Sequence, residues 1–170
     1  TPSQILIRVD ERGAAYPITI DPLIYLEQKV TAFDSAASDF FGTSVALDGD
    51  TALVGAYGDD IGANINQGSA YVFVKSGGIW SLAAKLTASD GAASDLFGSS
   101  VALDGDTAIV GAYGDNSYQG SAYVFVKPGG GWATGTETAK LTASDGAADD
   151  RFGVSVALDD FGTGYSSLSY

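Results

Sequence analysis

Three copies of one sequence pattern constrain the fold of this chain more than any other feature. Residues 31–59 read TAFDSAASDFFGTSVALDGDTALVGAYGD, and residues 87–115 repeat this segment with five differences in 29 positions. A third copy begins at Thr142 and keeps the pattern as far as Leu158. The Phe-Gly pairs of successive copies lie 56 and 55 residues apart. A period of about 50 residues that contains several strand-like runs is typical of propeller blades rather than of a helical array.

Each period contains four strand candidates, which predict a four-stranded antiparallel meander. In the first copy, Ser44–Asp48 and Thr51–Tyr57 flank a tight Asp-Gly-Asp turn, which is a strong hairpin signal. The strand candidate Gly68–Lys75 follows a polar loop, and Trp80–Thr87 follows a Ser-Gly-Gly turn. Four such strands form one blade of a propeller.

The third strand of each period is apolar on both faces. Ala70, Val72 and Val74 alternate with Tyr71 and Phe73, so the two sets point to opposite sides of the sheet. A sheet with one solvated face would alternate apolar with polar residues. The pattern therefore predicts a blade packed between two neighbours, and we expect the glycines of Phe-Gly and Val-Gly-Ala to allow close backbone approach there.

These residues carry a family resemblance. Phe97-Gly98, followed by SVALDGDTAIVGA and then GSAYVFV, resembles the FG-GAP repeat, the unit of the integrin-α-like propeller. The resemblance covers residues 23–158. It implies an all-β fold, an incomplete β-propeller of about two and a half four-stranded antiparallel blades, and a secreted or cell-surface protein with a role in adhesion.

The two ends of the chain differ from the repeat. In residues 1–22 the runs Ile5–Asp10 and Tyr16–Asp21 predict a β-hairpin or linker from a preceding β module. Residues 24–31 align with Trp80–Thr87 and predict the outer strand of a blade. The chain begins at Thr1 and contains no Met, which suggests a processed protein or a piece of a longer one.

Residues 159–170 form an anomalous tail. The segment Ala157–Tyr170, ALDDFGTGYSSLSY, resembles the metal-site motif of EAL-type cyclic-di-GMP phosphodiesterases, in which adjacent aspartates hold metal ions. Asp159 and Asp160 would be those residues, and they are weak metal candidates. The Glu-Ala-Leu motif and the catalytic lysine of that family have no counterpart here, and two carboxylates alone cannot build a two-metal site. Two explanations of the tail remain open: a fusion at the shared Val-Ala-Leu-Asp, or a match that is partly due to chance within a degenerate repeat.

Charge and composition exclude several function classes. Eight Lys and Arg residues face 21 Asp and Glu residues, for a net charge of −13, so we expect neither nucleic-acid binding nor binding to an anionic membrane surface. No apolar run approaches the ~18 residues of a membrane span, so we expect no membrane insertion. This charge favours cations or basic proteins as partners. The alternative is that the charge serves only to keep the protein soluble. The chain has no Cys and no His, and it lacks a Gly-x-Ser-x-Gly nucleophile motif. We therefore expect a non-catalytic protein without a cofactor.

Calcium deserves a separate test because integrin-type blades often bind it in a long acidic loop between their first two strands. Calcium requires six to eight oxygen ligands. The corresponding loops here are only Asp48-Gly49-Asp50 and Asp104-Gly105-Asp106. We expect such short turns not to encircle the ion. The Asp90–Asp95 loop is interpreted as turn chemistry, since Asp side chains bond nearby backbone.

The loops between the second and third strands are the best candidates for a binding site. Residues 58–68 read GDDIGANINQG, whereas residues 114–120 read GDNSYQG, although the flanking repeats are nearly identical. Binding residues are often carried by loops on a rigid scaffold. The candidate ligand-binding residues are Asp59, Asp60, Asn64, Asn66, Asp115, Asn116 and Tyr118. The alternative is that these are merely tolerant surface loops.

The sequence thus predicts an extracellular binding or adhesion module whose partner is a protein or a glycan. A purely structural surface scaffold is the main alternative, and a phosphodiesterase fragment is a less favoured one. Because a propeller needs at least four blades, we also expect further blades or self-association to close it.

Overall fold

The computed structural model describes residues 27–158. The predicted N-terminal hairpin and the tail from Asp159, including the phosphodiesterase-like aspartates, lie outside the described residues. The described part contains two four-stranded antiparallel sheets of the same topology, each ordered as its strands follow in the chain. The all-β fold and its organisation as an incomplete propeller, predicted from the repeat, are confirmed.

The first sheet, blade 1, contains β1 to β4. A two-residue turn joins β1 to β2, and the register places Asp48 opposite Thr51. The β3–β4 pairing includes a register shift between Val72 and Phe73. The strands are β1 (Val45–Asp48), β2 (Thr51–Ala56), β3 (Ser69–Ser76) and β4 (Ile79–Leu86).

The second sheet, blade 2, repeats this arrangement with a shorter outer strand. A four-residue helical turn, Asp115–Tyr118, lies between its second and third strands, and Asn116 and Ser117 adopt left-handed φ values of 49° and 61° there. The strands are β5 (Ser100–Asp104), β6 (Thr107–Ala112), β7 (Ser121–Val126) and β8 (Ala139–Leu141).

The main hydrophobic core lies between the two blades. Leu53, Ala70 and Val72 of blade 1 belong to the same buried cluster as Tyr123 and Phe125 of blade 2. On the opposite face of blade 1, Tyr71 and Phe73 form a second buried cluster with Val54. The third strand is therefore buried on both faces, as its double apolar pattern predicts, because each face packs against a different layer.

Glycine is required where the blades approach each other most closely. A Cβ at Gly55 would lie 2.0 Å from the carbonyl oxygen of Gly98, in the Phe-Gly pair that leads into blade 2. The Ser44 hydroxyl donates a hydrogen bond to that same oxygen at 2.7 Å. Gly111 stands in the same relation to Gly153. These glycines serve packing between repeats, because any side chain would push the blades apart.

Candidate binding site on the loop face

The variable loops are joined side by side along one edge of the two blades. Loop 57–68 connects β2 to β3, and its backbone is bonded to segment 89–98, which leads into blade 2. The amides of Ser94, Leu96 and Phe97 donate to the carbonyls of Ile65, Asn66 and Gln67. Segment 89–98 in turn contacts loop 113–120, where Gly114 donates to Asp95. We call these three segments, together with residues 33–42, the loop face.

Asp59 anchors the first variable loop to the interior of blade 1. The Asp59 side chain is buried and accepts hydrogen bonds from the hydroxyls of Ser69 and Tyr71. Lys85 of β4 lies 2.7 Å from Asp59 and 2.6 Å from Asp34, so one ammonium group joins two acidic segments. We call these five residues the lysine cluster of blade 1.

Blade 2 contains an equivalent lysine cluster. Lys140 lies 2.6 Å from both Asp90 and Asp115, and the Tyr123 hydroxyl donates to Asp90 at 3.1 Å. Ser121 donates to the buried Asp115. A lysine cluster is therefore present in both described blades and fixes the β-strand end of each variable loop.

Electrostatics favour the ionised forms of Asp34 and Lys85 in the lysine cluster of blade 1. Burial would raise the pKa of the Asp34 carboxyl, but the Lys85 ammonium and the Tyr71 hydroxyl outweigh it and hold that pKa below its usual value. Burial would lower the pKa of Lys85, yet the two neighbouring carboxylates raise it. The lysine is thus a fixed cation rather than a proton donor at neutral pH, which fits a structural role.

The other predicted residues of the first loop lie nearer the surface. The exposed Asp60 accepts a hydrogen bond from the Asn66 amide at 2.8 Å, which closes the loop on itself. The Asn64 side chain donates to Gln67 at 2.8 Å and to the Gly91 carbonyl at 3.0 Å. Asn66 itself has a left-handed φ of 53° and is half-buried. The loop is therefore ordered from within and leaves the Asp60 carboxylate facing solvent.

In the second loop, Asn116 and Tyr118 are exposed. The Asn116 side chain donates to Gln119, and Gln119 donates to the Gly146 carbonyl at 2.6 Å. The Tyr118 ring is 38% exposed and lies 6.2 Å from Tyr113, with the Arg151 guanidinium 6.0 Å from its centre. Of the predicted residues in this loop, only Asp115 is interior.

An aromatic pair missed by the sequence interpretation adds to the loop face. Phe40 is 50% exposed and stacks on Tyr57 with ring centres 4.9 Å apart and planes within 5°. The available signal was the Phe40-Phe41 pair, where the second copy has Leu96-Phe97. Flat exposed rings beside amide and carboxylate groups can contact the apolar face of a ligand while polar groups orient it.

At the opposite edge, one carboxylate of each predicted hairpin turn makes a contact within the protein. Asp48 accepts a hydrogen bond from the Gly105 amide at 2.7 Å, which links the β1–β2 turn to the β5–β6 turn. Asp106 pairs with Lys127. Between residues 27 and 158 we find no cluster of three or more His, Cys, Asp or Glu residues arranged to hold a metal ion. The same range contains no helix with the length and hydropathy of a bilayer-crossing segment.

Stacked four-stranded meanders with a period of about 55 residues define a repeat protein of the β-propeller class. A model of the FG-GAP repeat matches the chain at residues 25–73, 80–125 and 136–162, which together make up most of its length. The chain belongs to the FG-GAP repeat family. Among curated proteins, no match was found.

Proposed function

We propose that this chain is a non-catalytic binding module that uses its loop face to recognise a protein or a glycan outside the cell. FG-GAP repeats typically mediate protein binding and are commonly found in extracellular or surface proteins. The family is generally non-enzymatic. One observation supports the loop face as the binding surface. The lysine clusters anchor the two variable loops, while Asp60, Asn116 and the aromatic pairs remain at the surface.

The chemistry of the loop face favours a neutral or basic ligand. Its exposed groups are aromatic rings, amides and carboxylates, and the chain carries a net charge of −13. A sulfated or sialylated glycan would be repelled by this field, whereas a neutral sugar can stack its apolar face on the Phe40–Tyr57 pair. Basic protein surfaces would be attracted to the same field.

An array carrying neutral glycans, anionic glycans and basic extracellular proteins tests this proposal on the full chain. Binding should concentrate on neutral glycans or basic proteins, and Phe40→Ala and Asp60→Ala should each weaken it about tenfold, the effect of losing about 1.4 kcal/mol. Asp104→Ala is the matched control, since Asp104 is an exposed aspartate at the opposite edge. No binding would favour the structural scaffold instead. Equal losses in Asp60→Ala and Asp104→Ala would contradict the loop face as the binding site.

The third hypothesis, a phosphodiesterase fragment, depends on Asp159 and Asp160. Hydrolysis of cyclic-di-GMP with magnesium or manganese should be undetectable. Turnover that disappears in Asp159→Ala would contradict the non-catalytic proposal.

A further inference from the structure

The connection between the third and fourth strands differs between the two blades. Residues 77–78 join β3 to β4 in blade 1, whereas residues 127–138 join β7 to β8 in blade 2. We call residues 127–138 the strap. The strap belongs to blade 2 but crosses to the outer strand of blade 1, where Gly135 forms a parallel backbone bridge with Leu86. The longer connection therefore adds a short extended segment to the edge of blade 1.

Long hydrogen bonds join the strap backbone to the edge of blade 1. The Gly135 amide donates to the Lys85 carbonyl, and the Thr87 amide donates to the Gly135 carbonyl, both at 3.3 Å. The Lys85 amide donates to the Thr134 hydroxyl at 3.1 Å. These lengths are at or beyond the upper end of the usual range for N–H···O hydrogen bonds. The backbone pairing of the strap is therefore weak.

Two side chains anchor the strap. The Glu137 carboxylate accepts hydrogen bonds from the amide and the hydroxyl of Ser89, at 2.9 and 2.6 Å, close to the surface. Trp132 is 9% exposed and belongs to the core cluster between the blades, together with Leu86 and Phe125. The tryptophan is therefore the one of these two anchors that enters the interior.

The Trp132 anchor is incompletely satisfied. Its indole N–H is buried and has no hydrogen-bond acceptor among the residues that the structure describes. A buried donor without an acceptor is destabilising, so it offsets part of what burial of the ring contributes. The ring also borders a cleft of about 170 Å³ beside Leu86 and Phe125, so the packing around it is incomplete. The strap is thus held less firmly than the blades that it joins.

The strap begins with a segment that is free to move. Gly129, Gly130 and Gly131 precede Trp132, and a Cβ at any of the three glycines would meet no atom within 4 Å. Gly131 has a φ of 105°, a conformation that favours glycine. These three residues can change their backbone angles without a clash, so they can serve as a hinge for the rest of the strap.

We propose that the strap opens about these glycines while both blades stay folded, and that the uncovered edge of β4 binds an extended peptide segment of a partner protein. Opening frees the amides of Lys85 and Thr87 and empties the position that Trp132 fills. Added strands bind sheet edges through main-chain hydrogen bonds, with pockets for their side chains. The strap itself shows what fits there: an aromatic side chain followed, as Trp132 is by Gly135, by a residue that bridges Leu86.

Amide hydrogen exchange, followed by NMR on the full chain, tests whether the strap opens. The amides of Lys85 and Thr87 donate to the strap, whereas Leu86 between them pairs with Ala70 inside the sheet. The first two amides should be at least about tenfold less protected than the amide of Leu86. Gly135→Pro removes the amide that donates to Lys85, so it should lower their protection further and leave Leu86 unchanged. Equal protection of the three amides would overturn the proposal.

A synthetic peptide that copies residues 127–138, KPGGGWATGTET, tests the binding site. It is titrated into Trp132→Ala, in which the strap no longer fills its position in the core. The peptide should bind with a Kd of about 1 mM or lower, at least about tenfold more tightly than the same peptide with alanine in place of tryptophan. Chemical shift changes should centre on Lys85 and Thr87. The wild type is the matched control and should bind at least about tenfold more weakly, because its own strap competes at high effective concentration.

Three results of this titration would overturn the proposal: no binding to Trp132→Ala, equal binding of the two peptides, or equal binding to the variant and the wild type. Circular dichroism establishes that the variant is folded. If Trp132→Ala fails to fold, Trp132→Leu replaces it, since leucine keeps an apolar side chain in the core and leaves room for the peptide.

Discussion

Removal of the Asp59 carboxylate is the sharpest perturbation of the scaffold beneath the loop face. In Asp59→Ala, Tyr71 keeps a partner because its hydroxyl also lies 2.7 Å from Asp34, and Lys85 keeps its contact with Asp34. Ser69 is fully buried and loses its side-chain acceptor. An unsatisfied buried hydroxyl costs about 1–3 kcal/mol, and a lost contact with a charged group costs about as much. We expect a loss of about 3 kcal/mol in the free energy of unfolding.

Thermal and urea unfolding followed by circular dichroism would measure this loss. For a chain of this size, about 3 kcal/mol corresponds to a fall in Tm of about 6–12 °C. The neighbouring Asp60→Ala is the matched control, because Asp60 is exposed and makes one hydrogen bond, to the Asn66 amide. It should change stability by less than about 1 kcal/mol.

A second substitution separates the proposed cause from a general loss of packing. If the unsatisfied Ser69 hydroxyl is responsible, Ser69→Ala should recover part of the stability in the Asp59→Ala background, although it destabilises the wild type. Equal stability of the Asp59→Ala and Asp60→Ala proteins would refute the reasoning. So would additive losses in the double variant.

Three other predictions follow from the fold. Gly55→Ala should lower the free energy of unfolding, measured by urea titration, by more than about 3 kcal/mol, because its Cβ would lie 2.0 Å from a backbone carbonyl oxygen. Gly129→Ala is the control and should be nearly neutral, because a Cβ there meets open space. Similar urea midpoints for the two variants would contradict this prediction. The pKa of the Asp34 and Asp90 carboxyls is lowered in the folded state, so the stability they contribute is complete above about pH 4 and is lost as the pH falls through the folded pKa. The Tm of the double variant Asp34→Asn/Asp90→Asn should therefore fall less steeply on acidification than that of the wild type. An unchanged pH profile of Tm would count against the ion pairs. Calcium should raise Tm by less than about 5 °C relative to chelator, and a larger rise would reveal a site that the short turns do not provide.

The fold could be predicted from the sequence because comparison of the repeat copies shows where each strand begins and ends. The third strand was predicted at Gly68–Lys75 and lies at Ser69–Ser76, since alternating apolar residues between glycine-rich turns leave little freedom in register. The outer strand of blade 2 is shorter, Ala139–Leu141. There the chain departs from the repeat in the segment Lys127–Glu137, so the pattern no longer marked where pairing begins.

The candidate site was harder to predict from the sequence than the fold, because its side chains contact partners that are far away in the sequence. Asp90 was interpreted as turn chemistry, and its neighbour Asp95 does accept the Ala92 amide at 2.6 Å. Asp90 instead pairs with Lys140, 50 residues away. The recurrence of Lys85 and Lys140 in the same AKLTASDG segment was the available signal, but a repeated lysine does not reveal which acid it faces. Likewise, nothing in the Gly-Asp-Asp sequence distinguishes the buried Asp59 from the exposed Asp60.

Hydrogen–deuterium exchange with and without an array-identified ligand tests the central claim most directly. The lysine clusters hold the loops on a rigid scaffold, so binding should slow exchange in residues 57–68 and 113–120, with the β1–β2 and β5–β6 turns at the opposite edge unchanged. Protection confined to those turns, with the variable loops unaffected, would contradict the assignment of the loop face as the binding site.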